Sequence, residues 1–182
     1  MRVTGGLYRG RKIICPPGVI RPAMDRMRES MFAILGSQEG AGWLDLFSGS
    51  GSIGIEAASR GATTIHLVEK DRQKKETIMQ NIAFVEEDIT LFLHDVFRFL
   101  SNAKTTYDVI YADPPFSMED KIRLLRSVND HNLLREEGLF IIHYPVEEKS
   151  QWPERYGDLL FIDERAYGRS TLRFYKKEAK HE

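Results

Sequence analysis

Asp113-Pro114-Pro115-Phe116 is the segment of this sequence best suited to chemistry. Two consecutive prolines set the main chain and remove two N–H donors. The segment therefore presents acceptors, the Asp113 carboxylate and the Pro114 carbonyl, beside an aromatic ring. Acceptors so placed can take the hydrogens of an exocyclic amine and aim its lone pair, while Phe116 stacks on the planar base that carries it. Asp-Pro is also ordinary turn chemistry, so the amine reading depends on its companions. The first is Gly49-Ser50-Gly51-Ser52-Ile53-Gly54, a G-x-G-x-x-G turn after an apolar run and before a helix. Nicotinamide, flavin and S-adenosylmethionine sites all share that pattern. The second is Glu69, 20 residues after Gly49 and at the end of the next strand, where a carboxylate can accept from both hydroxyls of an adenosine ribose. Asp45, four residues before the turn, suits the amino group of a zwitterionic methionine tail and would repel a pyrophosphate. Asp95, just past a third strand, is placed to meet the adenine edge, and equally to N-cap residues 96–100.

These residues need elements to hold them. Arg2-Val3-Thr4 and Lys12-Ile13-Ile14-Cys15, with glycines between them, read as a small β-hairpin. Pro16-Pro17-Gly18 and Arg21-Pro22 interrupt regular structure. Asp25 is then the expected N-cap of a helix carrying Met27, Met31, Ile34 and Leu35 on one face. From Trp43 onward strand and helix alternate: strands at 43–47, 64–68, 89–93, 107–112 and 139–144, with helices through 56–60, from Asp71 to about Ala83, at 96–100 and at 119–128. Two β-rich segments, 158–166 and 171–176, joined by Gly168-Arg169-Ser170, form an antiparallel hairpin. The pattern predicts an α/β, doubly wound, Rossmann-like sheet of seven strands, mostly parallel, covered on both faces. Residues 1–22 are the expected N-terminal basic β-hairpin extension and 23–182 the main domain.

Composition agrees with a single globular unit. The chain has 182 residues, 42% hydrophobic and 29% charged, a length that favours one domain. One cysteine, Cys15, excludes an internal disulfide, and the five histidines lack metal-ligand spacing. Leu139 to Tyr144, the most apolar later run, is far too short to cross a bilayer. No apolar stretch of signal-peptide length follows Met1, so the setting expected is cytoplasmic, with no membrane partner. The net charge of −1 hides an asymmetry: residues 1–30 sum to +5 and the remainder to −6. Residues 165–180 are basic again. Charge polarised in this way suits a polyanion held at one face, or simply a solvated basic surface.

Leu44-Asp45-Leu46-Phe47-Ser48-Gly49-Ser50-Gly51 together with Asp113-Pro114-Pro115-Phe116 resembles the class I S-adenosylmethionine methyltransferases that act on amino groups. Gly5-Gly6-Leu7-Tyr8-Arg9-Gly10-Arg11, Arg21-Pro22, Asp25-Arg26-Met27-Arg28-Glu29 and Tyr167-Gly168-Arg169-Ser170 narrow the resemblance to the bacterial RsmD-type 16S ribosomal RNA guanine-N2 methyltransferases. It covers nearly the whole chain. Ala23 departs from it, standing where the family usually has threonine. The resemblance implies S-adenosyl-L-methionine as cofactor, held by Asp45, Phe47, Ser48, Gly49, Ser50, Gly51, Glu69, Lys70, Asp95 and Val96. It implies catalysis by Asp113, Pro114, Pro115 and Phe116 without a metal. The partner implied is 16S rRNA, within the small ribosomal subunit; apart from the resemblance, a monomer is the default expectation.

Arg9, Arg11, Lys12, Arg21, Arg26 and Arg28 are the expected phosphate contacts, although one helix arginine could instead meet the cofactor carboxylate. The rivals are a DNA adenine-N6 methyltransferase, a nicotinamide oxidoreductase and a non-catalytic RNA-binding assembly factor. The first lacks room here for a separate target-recognition domain, the second leaves Asp113 to Phe116 without a role, and the third leaves Asp45, Glu69 and Asp113 without one.

Overall fold

The computed structural model describes residues 1–15 and 22–180. Pro22–Leu35 is the first helix, α1. It begins three residues before the expected cap: Pro22 opens it, its fixed φ being suited to a first turn and its missing N–H no loss there. Asp25 thus lies inside the first turn, where its charge favours the helix dipole. The strands that follow are β1 Gly42–Leu46, β2 Thr64–Val68, β3 Asp88–Phe92, β4 Tyr107–Ala112 and β5 Leu134–Pro145. Between them lie α2 Ser52–Ser59, α3 Lys75–Ile82, α4 Val96–Asn102 and α5 Ile122–Asp130. A 3₁₀ turn over Arg72–Lys74 precedes α3, its N-cap Asp71 accepting from the Gln73 N–H. A second over Val146–Gln151 leaves β5.

Among the described residues the sheet has eight strands, in the order β3-β2-β1-β4-β5-β8-β7-β6. That is one more than the sequence pattern suggests. The addition, β6, is only Arg155–Tyr156, a pair too short to show alternation. It lies antiparallel to β7 (Leu159–Tyr167), which pairs with β8 (Ser170–Lys177). β8 runs antiparallel to β5 and seals it, and the first five strands are parallel. β5 is longer than expected because Leu134 pairs with Tyr107 before a bulge resets the register.

Alternation along the strands builds two cores. Trp43, Ile65, Leu67, Val109, Tyr111 and Ile141 face α1, α2 and α3. Leu44, Leu46, Val68, Ile110, Ala112, Phe140 and Ile142 face α4 and α5. The N-terminal residues fold onto the first core rather than away from it: Val3, Tyr8 and Ile13 are buried there. Their hairpin closes with a single bridge, Arg2 to Lys12. A buried carboxylate fastens it. Glu56 of α2, fully shielded from solvent, accepts from the Thr4 N–H and hydroxyl, the Gly5 N–H and the guanidiniums of Arg28 and Arg60.

Candidate active site

Strand order converts a scattered sequence into one row. Along the carboxyl edge of β3-β2-β1-β4-β5 stand Asp95, Glu69, Asp45, Asp113 and His143, in that order. The order reverses between β1 and β4, the place where open α/β sheets bind ligands. Asp45 and Asp113 flank that point. Tyr111 lies opposite Asp45 in the ladder, and the Asp113 N–H donates to the Leu46 carbonyl at 3.3 Å.

The glycine turn crosses the end of β1. Gly49 and Gly51 take positive φ (61° and 83°), a conformation that side chains disfavour. Gly54 has a different reason for being glycine: a Cβ there would collide with Leu67 on β2. Phe47, with φ 62°, is a strained non-glycine residue, as ligand-binding turns often contain. Two side chains brace the turn. Glu69 accepts from the Gly49 N–H at 3.0 Å and the Asp71 N–H at 2.9 Å. Asn81 of α3, buried, donates to the Ser50 carbonyl at 2.9 Å and exchanges two 2.8 Å hydrogen bonds with the main chain of Ile14.

Above the turn is a cavity of ≈ 310 Å³. Phe47, Ser48, Gly49 and Ser50 form its floor, and Met24, Met27 and Arg28 of α1 wall it on one side. Met1 and Cys15 of the N-terminal segment also reach it, as do Asp45, Tyr111, Asp113 and Lys74. Glu69, Lys70, Asp95 and Val96 lie beyond it, farther along the β2–β3 edge. Asp95 does serve as an N-cap, accepting from the Arg98 N–H at 3.1 Å, and the Val96 side chain is buried in the second core.

Asp45 is the electrostatic centre of the cavity. It is 1% exposed, and neither carboxylate oxygen has a hydrogen-bond partner among the described residues. The nearby Ser48 hydroxyl donates instead to the Asp45 main-chain carbonyl. Burial pushes the carboxyl well above the usual carboxylate range, and the neighbouring Asp113 pushes it further. The Gly54 N–H and Ser48 offset this only in part, approaching without closing a normal hydrogen bond. An unpaired carboxylate so deep is costly until a cation meets it. Tyr111 is held protonated by the same causes, burial first and then Asp113 and Asp45.

The Asp113 to Phe116 loop is braced from behind. The buried Lys121 ammonium donates to the Phe116 carbonyl (3.0 Å), the Met118 carbonyl (2.8 Å) and Glu148 of the second 3₁₀ turn (2.8 Å). The Met118 N–H donates to the Pro115 carbonyl. The Asp113 side chain stays 25% exposed and Phe116 is 40% exposed. No donor among the described residues reaches the Pro114 carbonyl. His143, which the sequence offers only as one more histidine in an apolar strand, places Nδ1 2.7 Å from the Asp113 carboxylate. Its ring stands edge-on to Phe116 at 5.4 Å.

The basic residues separate. Leu7 donates to the Ser59 carbonyl at the far end of α2. Arg9 and Arg11 follow that contact, with Arg11 over the Phe84 ring beyond the end of α3. They thus sit by the opposite edge of the sheet from Asp113. Lys12 and Arg26 are exposed, and Arg21 lies outside the described residues. Arg28 is not at the surface, as a phosphate contact requires: it is 3% exposed, paired with Glu56, and faces the cavity.

Comparison with known proteins places this architecture. A family model for conserved hypothetical protein 95 matches residues 1–176. The chain belongs to that family. Among its relatives is ribosomal RNA small subunit methyltransferase D of Escherichia coli K12, 33% identical over 189 residues, 100% of this chain and 92% of that one. The solved structure of Escherichia coli yhhF superposes with a TM-score of 0.86 at 31% identity, covering 99% of each chain. That of a hypothetical protein from Thermus thermophilus gives 0.79 at 28% identity, covering 96% of this chain and 98% of that one. SMU.776, solved in complex with SAH, shares the fold at a TM-score of 0.73 and 20% identity, covering 90% of this chain and 52% of that one. The fold is that of the class I methyltransferases, for which the sequence resemblance implies S-adenosyl-L-methionine as cofactor. The cavity suits it: an unpartnered Asp45 for an ammonium, a buried guanidinium for a carboxylate, and a glycine turn that lets a ligand approach the backbone.

Proposed function

We propose that this methyltransferase modifies the exocyclic N2 amine of a guanine in 16S ribosomal RNA. At the coarser level it is an rRNA methyltransferase, the activity that the name of its Escherichia coli relative carries, with S-adenosylmethionine as the methyl donor that the cavity suits. One observation carries the finer reading. Asp113, which lines the cavity and is partly exposed, is followed by a Pro114 carbonyl that meets no donor among the described residues and by a half-exposed Phe116.

The 2-amino lone pair of guanine is delocalised into the ring and is a poor nucleophile. Asp113 and the Pro114 carbonyl take its two hydrogens, pyramidalise the nitrogen and direct its lone pair into the cavity. Such positioning supplies up to about 7–11 kcal/mol. Phe116 stacks on the purine, worth about 1–3 kcal/mol, against a few kcal/mol for extruding a stacked base. S-adenosylmethionine supplies the electrophilic methyl group when bound. Asp45 receives its ammonium, Arg28 its carboxylate and Glu69 its ribose hydroxyls, with Lys70, Asp95 and Val96 along the adenosine side. Asp113, partly exposed, takes the departing proton. Arg26 and Lys12, both exposed, hold phosphates; Arg9 and Arg11 engage RNA only where it continues down the α2–α3 flank. The work is done by a monomer on the small subunit, in the cytoplasm.

The test uses methyl-labelled S-adenosylmethionine with small ribosomal subunits from cells lacking the matching gene, with free 16S RNA and duplex DNA in parallel. Label in N2-methylguanosine is expected. Label in DNA N6-methyladenine would transfer the assignment to a DNA adenine enzyme. No label in any lane, with the cofactor bound, would favour a non-catalytic binding protein.

A further inference from the structure

The ladder that pairs Ala112 of β4 with Ile142 of β5 sets the next two residues, Asp113 and His143, side by side. His143 Nδ1 lies 2.7 Å from Asp113 Oδ1. The ring is 3% exposed, and its other nitrogen, Nε2, is buried with no partner among the described residues. Phe116 stands against it edge-on. The contact fixes where the ring's hydrogen belongs. An ionised carboxylate only accepts, so the short contact requires a hydrogen on Nδ1. A hydrogen on Nε2 as well would be a buried donor with no acceptor, the costlier arrangement.

We propose that His143 is a positioning residue for the Asp113 carboxylate. As the Nδ1–H tautomer it occupies Oδ1 and fixes the carboxylate plane, leaving Oδ2 as the oxygen that meets the target amine. The same ring buttresses Phe116, so one buried imidazole aligns both the acceptor and the stacking surface of the substrate site. It does not relay the proton onward. That would load Nε2, which has no outlet, whereas Asp113 is exposed enough to release its proton to water. The inference rests on the functional reading above in taking an amine as the group that Asp113 receives.

Two measurements on the full chain test it. Nitrogen-15 spectra of histidine-labelled protein, assigned by the signal lost in His143→Asn, should show His143 with Nδ1 protonated and Nε2 bare. A hydrogen on Nε2 instead would overturn the proposal, and this reading needs no substrate. In methyl transfer, His143→Leu should lower kcat by roughly tenfold to a hundredfold, with S-adenosylmethionine affinity and the KM for RNA within about twofold of the unmodified protein. His143→Asn, whose amide N–H stands near the place of Nδ1–H, should recover most of the rate. His143→Gln, whose amide extends towards the place of Nε2, should not. His143→Leu at the unmodified rate, or Asn no better than Gln with cofactor affinity intact, would overturn it. Should His143→Leu not fold, the Asn-to-Gln comparison and the spectrum still decide. An unmodified protein that labels a different base would refute the guanine reading, and these rate ratios would then be read on that base.

Discussion

Asp45 and Asp113 are carboxylates on neighbouring strands, yet their surroundings give them different work. Asp45 is sealed, unpartnered and raised well above the usual range by burial and then by Asp113. Asp113 is partly exposed and fixed by His143. The raised Asp45 carboxyl has a consequence for stability. The native state holds its proton more tightly than the unfolded chain, where the group titrates at 3.8. Stability of the cofactor-free protein should therefore fall as pH rises from 3.8 through the raised value. Binding an ammonium requires the ionised form, so cofactor affinity should climb across the same window. Thermal unfolding followed against pH should show a slope that Asp45→Asn flattens. For Asp113→Ala, turnover should drop by about a hundredfold or more, while calorimetric cofactor affinity stays near normal. A variant that binds the cofactor and turns over normally would remove Asp113 from the chemistry.

At the level of elements, the notable feature is how few side chains hold the two working loops. Asn81, on α3, ties the Ser50 carbonyl of the glycine turn to the main chain of Ile14. The N-terminal segment and the cofactor turn thus share one amide. Asn81→Ala leaves the buried Ser50 carbonyl without this partner, costing about 1–3 kcal/mol, and frees the part-buried N–H and carbonyl of Ile14. It should weaken S-adenosylmethionine binding by about tenfold and raise amide exchange at both Ile14 and Gly51 together. Exchange rising at one and not the other would show that the two segments are held independently. Lys121 plays the corresponding part for the Asp113 to Phe116 loop, gathering two carbonyls and Glu148 behind it.

On the scale of the molecule, residues 1–15 are built into the α/β unit. Val3, Tyr8 and Ile13 belong to the first core, Met1 and Cys15 wall the cofactor cavity, and Glu56 clamps Thr4, Gly5, Arg28 and Arg60 at once. Removing the N-terminal segment would therefore strip core and cavity wall as well as basic charge. A cleaner probe is Glu56→Ala, which leaves the buried Arg28 without its main partner. The expected cost is about 3–5 kcal/mol, measured by urea unfolding, with cofactor affinity reduced because α1 loses its anchor. A cost under about 1 kcal/mol, as for an exposed pair, would show that the clamp is not a buried network.

The row of acids along the sheet edge was legible in the sequence because each lies at or just past the end of an apolar run, Asp45 inside β1 and the others after their strands. In a parallel sheet the end of every such run arrives at the same edge. The glycine turn, the Asp113 to Phe116 loop and the alternation of elements were readable for the same local reason. What local pattern does not carry is pairing across the sheet and packing between faces. That His143 meets Asp113 follows from the register of β4 against β5, strands separated by a helix. That Arg28 turns inward while Arg26 stays out depends on Glu56, 28 residues away and buried. Arg9 and Arg11 lie far from the site because Leu7 docks on the end of α2. Charge read along a chain says how much basic surface exists; only the folded contacts decide which edge of the sheet it serves.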